Sequence, residues 1–236
     1  MRRVKIKIIG QSNTDIDQFI TSGIKKRAWE SFELTQSQNV KEWHINPHKI
    51  NIQSNLLDLK DIISSLNKPL YLLDVGCYSG YLYDYLRLKT SYSKNNLYYT
   101  GIDIQPSVID AAKHIYKGNL KTSFVNGDIF KLPKYFVAKE FDVVCCYRVL
   151  IHLPYFKKSL LNLFQVANKI VHIVLHIQDR DRCNRCEETD LDTGKKTIYY
   201  HRFISENTIK KCIYGLPITY KIIQHSPYAS LFLIRN

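Results

Sequence analysis

The sequence predicts an α/β fold: a doubly wound, mostly parallel seven-stranded sheet with helices on both faces and an antiparallel C-terminal hairpin. Three observations predict it. The run Leu72-Leu73-Asp74-Val75 is apolar and ends in an acid. A two-glycine turn follows, Gly76-Cys77-Tyr78-Ser79-Gly80, and Tyr81 to Leu86 continues as a helix. A second apolar run, Leu97 to Asp103, ends in another acid 29 positions after Asp74, about one strand–helix–strand unit. Near the C-terminus, Ile218 to Ile223 and Ser230 to Ile234 flank Pro227 and read as a hairpin.

The elements follow in order. Met1 to Gly10 alternates lysine with apolar residues, as a short strand does. Asp15 to Phe32 and Ser54 to Leu66 carry apolar residues at helical spacing, and Glu33 to Asn51, rich in Gln, Asn and His, reads as a loop. Residues 1–68 are thus expected to form an N-terminal helical extension, and residues 69–236 the α/β core. Within the core, Ser123-Phe124-Val125 closes with Asn126-Gly127-Asp128, and Phe141 to Cys146 leads into Tyr147-Arg148-Val149-Leu150-Ile151-His152-Leu153-Pro154. Helices are predicted over Pro106 to Tyr116, with proline at the start, and over Phe156 to Val166. A fifth strand spans Ile170 to Ile177, with His172 and His176 on one face because they lie four residues apart. Continuous apolar strands separated by helices call for a parallel sheet covered on both faces. Residues 179–203 are polar and charged, with a turn at Asp192-Thr193-Gly194-Lys195, and are expected to form an inserted flap. Ser205 then caps a helix.

The four segments DVGCYSG, GIDI, NGDIF and FDVVCCYRVLIHLP, in that order, resemble the signatures of the class I S-adenosylmethionine (SAM)-dependent methyltransferases. The resemblance runs from Leu70 to Asn236 and implies SAM as cofactor. It implies that Asp74, Gly76, Cys77 and Gly80 shape the pocket for the methionine part, that Asp103 with Ile104 holds the ribose hydroxyls, and that Asp128 and Ile129 face the adenine. Tyr147 falls where the family lines the methyl-donor pocket. One position departs: Tyr78 stands where the family often has a third glycine. In this family N-terminal helices commonly cover the pockets, which makes Trp29, Phe32, Trp43 and His44 candidates for a lid.

Composition narrows the function classes. A 45% hydrophobic chain of 236 residues can bury a full core and is not disordered. No apolar run reaches the ~20 residues of a membrane span, and no secretory leader is recognisable, so the expected location is cytoplasmic. Of six cysteines, only Cys183 and Cys186 form a C-x-x-C. With no second such pair they are read as thiols in a solvated loop, and no metal is assigned. The formal charge of +13 suits an anionic partner, although the lysines are dispersed rather than gathered in a block.

A SAM-dependent enzyme must align acceptor and methyl donor, and a hydroxyl acceptor also needs a base for its proton. His152, His176 and His201 are the candidate bases, with Tyr147 and Arg148 able to orient an anionic acceptor. The chain lacks the Asp/Asn-Pro-Pro-aromatic tetrad that amino-directed relatives carry after the fourth strand. The reading is therefore methyl transfer to a hydroxyl of a small-molecule or glycan acceptor. An RNA methyltransferase is the runner-up, and a non-catalytic SAM-fold scaffold is the third reading.

Overall fold

The computed structural model describes residues 4–22, 53–90, 92 and 96–236. Trp29, Phe32, Trp43 and His44 lie outside the described residues, as does the loop expected over 33–51. The elements are strand β1 (Val4–Ser12), helices α1 (Ile16–Ser22) and α2 (Gln53–Ile63), β2 (Leu70–Val75), α3 (Tyr81–Lys89), β3 (Leu97–Asp103), α4 (Pro106–Ile115) and β4 (Thr122–Asn126). There follow the short helix α5 (Leu132–Tyr135), β5 (Phe141–Tyr147), α6 (Phe156–Val166), β6 (Ala167–Leu175), β7 (Ile177–Gln178), β8 (Arg182–Asp190) and β9 (Lys196–Ser205). The chain ends with α7 (Glu206–Ile213), β10 (Ile218–Gln224) and β11 (Ala229–Arg235).

Seven strands form one sheet in the order β10-β11-β6-β5-β2-β3-β4. Strands β2 to β6 are parallel, and β11 pairs antiparallel with both β6 and β10. The apolar runs become central strands because helices cover both faces: Leu72, Leu73, Val143, Val144, Val171 and Ile173 are all fully buried. The order reverses direction beside β2, and the carboxyl ends of the strands at such a switch point are where doubly wound sheets bind ligands.

A second, four-stranded sheet has the order β1-β8-β9-β7. It joins the two chain segments that the sequence treats separately. The N-terminal strand β1 pairs antiparallel with β8, and β8 with β9. Within residues 179–203, expected to form an inserted flap, lies strand β8, paired antiparallel with β9. Its charged residues are held by hydrogen bonding to strands on both sides, which outweighs a poor intrinsic preference for strand. The same strand corrects the reading of Cys183 and Cys186 as solvated thiols. Both are buried, and three residues apart on a strand they face opposite sides. Cys183 packs with Ile20 and Tyr200, whereas Cys186 hydrogen-bonds Tyr199. Ser205 caps α7 as expected, its hydroxyl accepting from the Thr208 N–H at 3.2 Å. Among the described residues no helix is long and apolar enough to cross a membrane.

Candidate active site

The turn after β2 is shaped by backbone conformation. Gly76 has φ +77°, and a Cβ there would lie 2.2 Å from Val149 Cγ2. Glycine is therefore required twice over, by the left-handed backbone and by the loop pressed against it. Tyr78 takes φ +51°. The position where a third glycine is frequent keeps the left-handed conformation and carries its strain on a tyrosine, at ~1–2 kcal/mol. The Gly76 and Cys77 N–H groups both donate to the Ile102 carbonyl, at 2.8 and 3.2 Å, tying the turn to the end of β3.

A cavity of about 260 Å³ opens at the carboxyl ends of β2, β3, β4 and β5. Val75, Gly76 and Tyr78 form one side. Ile102, Asp103, Ile104 and Gln105 follow, then Gly127, Asp128 and Ile129. Arg148, Val149, His152 and Leu153 come from beyond β5, and Ile198, Tyr199 and Tyr200 of β9 form the roof. Among the expected binding residues, Gly76, Asp103, Ile104, Asp128 and Ile129 meet at this cavity. Asp103 accepts from the Tyr78 N–H at 3.1 Å and from the Gln105 N–H at 3.0 Å. Burial raises its pKa, and those backbone donors work against the rise. The Ile104 N–H acts in the same direction, and the carboxylate keeps acceptor capacity beyond these donors. Asp128 caps a short 3₁₀ turn through the Phe130 N–H, at 2.9 Å.

Three expected cofactor residues lie behind the cavity wall rather than in it. Asp74 is buried under the turn and accepts from the Tyr99 hydroxyl at 2.6 Å, and burial lifts its pKa to about 7. Cys77 packs under the turn against Gly101. Gly80 faces the Phe124 and Tyr116 rings, with its carbonyl accepting from the Tyr116 hydroxyl at 2.9 Å.

Tyr147 also turns away from the cavity. Its hydroxyl lies 2.8 Å from His172 Nδ1 and its ring meets His172 edge-on. His172 is fully buried, stacked on Phe232 at 4.1 Å, with Nε2 3.1 Å from Ser230 Oγ. Ser230 gives its own proton to Asp58 at 2.6 Å, so His172 Nε2 carries a hydrogen and Nδ1 accepts from Tyr147. Burial drives the His172 pKa down to about 3. This network fixes β6 against β11 and occupies the Tyr147 hydroxyl structurally.

The other side of the cavity is a cluster of neutral imidazoles. His152 Nδ1 lies 2.7 Å from the Tyr200 carbonyl, which can only accept, so Nδ1 holds the hydrogen and Nε2 is a bare lone pair. His176 Nδ1 likewise donates to the Pro227 carbonyl at 2.7 Å. Its bare Nε2 lies 2.8 Å from His201 Nε2, which must therefore be the donor. Burial lowers the pKa of His152 to about 4, and the positive field of Arg148 acts in the same direction. Burial, with the neighbouring histidines and Arg148, takes His201 to about 3, while His176 is lowered by burial and by Arg148. Of the predicted bases only His152 lines the cavity; His176 stands behind it. Ile198, Tyr199 and Tyr200 lie within the expected flap but were not assigned to the site, because nothing in the local sequence says which flap residues turn toward the cavity.

Comparisons with known proteins agree with this architecture. Residues 66–215 match a family model described as a methyltransferase domain. The chain belongs to the SAM-dependent class I methyltransferases. A ubiquinone biosynthesis O-methyltransferase of Coxiella burnetii is 35% identical over 88 residues, covering 37% of this chain and 34% of that protein. A mouse 18S rRNA (guanine-N(7))-methyltransferase is 36% identical over 83 residues, covering 34% of this chain and 27% of that protein. The chain thus spans between about a quarter and a third of the length of the curated relatives it matches. A SAM-dependent methyltransferase structure from Clostridium acetobutylicum superposes with a TM-score of 0.59 at 13% identity, over 83% of this chain and 98% of that one. The cavity of this methyltransferase suits the family's cofactor. Asp103 retains acceptor capacity at the wall for a diol, and Ile102, Ile104 and Ile129 offer apolar surface to a base.

Proposed function

We propose that this chain transfers a methyl group from SAM to a hydroxyl of a small-molecule or sugar acceptor. The observation that carries the reading is His152: a neutral imidazole in the cavity wall, its Nδ1–H anchored on the Tyr200 carbonyl and its Nε2 unprotonated. SAM supplies an already electrophilic methyl on a sulfonium, so the protein need not activate the donor. Asp103 would hold the ribose hydroxyls, Asp128 and Ile129 the adenine, and the Gly76 turn the methionine part. His152 Nε2 receives the acceptor's proton, and Tyr200 keeps the ring oriented while it does so. Strands β1, β8 and β9, with α1, serve as one cover whose roof residues exclude water from the reacting atoms. The intact cavity argues against the scaffold reading.

Calorimetry with SAM and S-adenosylhomocysteine, alongside NAD, tests the cofactor assignment. Micromolar binding of the first two and no NAD binding are expected. Saturable binding of NAD alone would remove the reading.

RNA is the second reading, favoured by the +13 charge and by the mouse relative's activity. A continuous basic track would give binding that weakens steeply with salt, as each neutralised phosphate releases condensed counterion. Labelled SAM incubated with total RNA separates the two. No transfer to RNA is expected, and robust transfer would promote the second reading.

A further inference from the structure

Among the described residues, Arg148 is a cation in the cavity wall without a counter-charge. Its backbone is fixed in the left-handed region, at φ +60°, with its N–H donating to the Val174 carbonyl at 2.9 Å. Its guanidinium lies 4.7 Å from the centre of the Tyr228 ring. Among the described residues no carboxylate pairs with it, and its Nε is buried with no hydrogen-bond partner. Arg182, Arg185 and Arg202 also have a buried Nε without a partner, but Arg148 is the arginine that lines this cavity. Arg202 is paired with Asp17, and Arg235 donates to the carbonyls of Ala167 and Phe164. Leaving a charge unpaired in an apolar wall is unfavourable unless a ligand completes it.

The surroundings give that ligand a shape. Arg148 shares its wall with His152, and Val149, Leu153, Ile198 and Tyr199 around them are largely apolar. We propose that Arg148 anchors a carboxylate on the acceptor, a flat and otherwise apolar hydroxy acid whose hydroxyl is presented to His152. A guanidinium fork matches a carboxylate in two hydrogen bonds, and a single cation balances a single negative charge. Tyr228 holds the fork in place, so little side-chain freedom is lost on binding. Neutralising Arg148 also removes one of the fields that keep His152 weakly basic, so the anion strengthens the base it needs. The inference rests on the hydroxyl-transfer reading above and adds the substrate class.

Benzoate and benzamide, alike in shape and different in charge, test it on protein loaded with S-adenosylhomocysteine at fixed ionic strength. Wild-type protein is expected to bind benzoate at least about tenfold more tightly than benzamide. Arg148→Met should abolish that preference and Arg148→Lys should keep part of it, with S-adenosylhomocysteine affinity unchanged in both. Absent or equal binding of the two probes by wild type would overturn the proposal, as would a preference that survives Arg148→Met. A large fall in S-adenosylhomocysteine affinity in Arg148→Met would overturn it too, by giving the guanidinium to the cofactor's own carboxylate. Should Arg148→Met fail to fold, the wild-type pair and Arg148→Lys still decide. Failure of wild type to bind S-adenosylhomocysteine is a separate result, which removes the methyltransferase reading instead.

Discussion

The two walls of the cavity are built on different principles. The wall from Gly76 to Ile129 consists of strand ends and tight turns, each within a few residues of an apolar strand. Its polar groups are fixed by backbone hydrogen bonds, as Asp103 is by Tyr78 and Gln105. The opposite wall draws on residues 148, 149, 152, 153 and 198–200, and it and the histidines behind it are fixed by one another: His152 by the Tyr200 carbonyl, His176 by Pro227, His201 by His176. The first wall is suited to a ligand shared by a whole family. The second can change with every acceptor, because its geometry depends on long-range contacts that few local rules constrain.

The largest effect should come from the second wall. His152→Gln is expected to lower turnover by ~10²–10⁴-fold while SAM affinity stays within about twofold. Calorimetry and single-turnover rates on the same preparation check it, and near-full turnover would mean the acceptor needs no histidine base. Asp103→Asn should cost roughly 2–4 kcal/mol of SAM affinity by removing charge-assisted hydrogen bonds. It should also lower the melting temperature, because Asp103 pins the strained Tyr78 turn; unchanged affinity would refute the ribose assignment.

Gly76→Ala places a methyl inside van der Waals range of Val149 in a left-handed backbone, at an expected cost of about 2 kcal/mol in stability. Adding Val149→Ala should recover the steric part but not the backbone part, which denaturant titration of both variants can read. Tyr147→Phe should cost about 1–2 kcal/mol of stability by leaving His172 Nδ1 unpaired, with turnover per folded molecule unchanged. A turnover defect at wild-type stability would return Tyr147 to the chemistry.

The smallest test is one of pH. His152, His172, His176 and His201 have lowered pKa values in the folded state, so the unfolded chain takes up their protons first as pH falls below about 6.5. Their contribution to stability is present above that pH, and that of His152, His172 and His201 is lost on the way down through pH 4 to 3. Asp74 and Asp103 act oppositely, holding protons in the folded state at pH values where the unfolded chain has released them. His152, His172 and His201 against Asp74 leave a net uptake of about two protons on unfolding near pH 5, and the shifts of His176 and Asp103 act in opposite directions. Stability measured from pH 7 to 5 should therefore decline, and a rise would mean that the imidazoles are not buried neutral.

Legibility in the sequence follows the same division. The strand–turn–helix at 72–86, the acid 29 positions on and the C-terminal hairpin are local patterns, and the seven-stranded sheet follows from them. Helix starts were readable where one residue carries the signal, as Pro106 and Ser205 do. Tyr147 was misread because its position after β5 suggests the cavity, whereas its hydroxyl is claimed by a histidine from β6. Cys183 and Cys186 were misread because β8 is a strand through its partners rather than through its own residues.

The sequence by itself determined the apolar periodicities, the glycine-bearing turn and the acids at the strand ends, and with them the fold class and the cofactor family. Those are short-range consequences of burial and backbone freedom. Only the tertiary structure decided which nitrogen of His152 is free, that Arg148 has no carboxylate partner among the described residues, and that β1 and β9 belong to one sheet. Each of these depends on which carbonyl, ring or carboxylate arrives from a distant segment. An isolated side chain carries no record of the partner that will fix its proton or balance its charge.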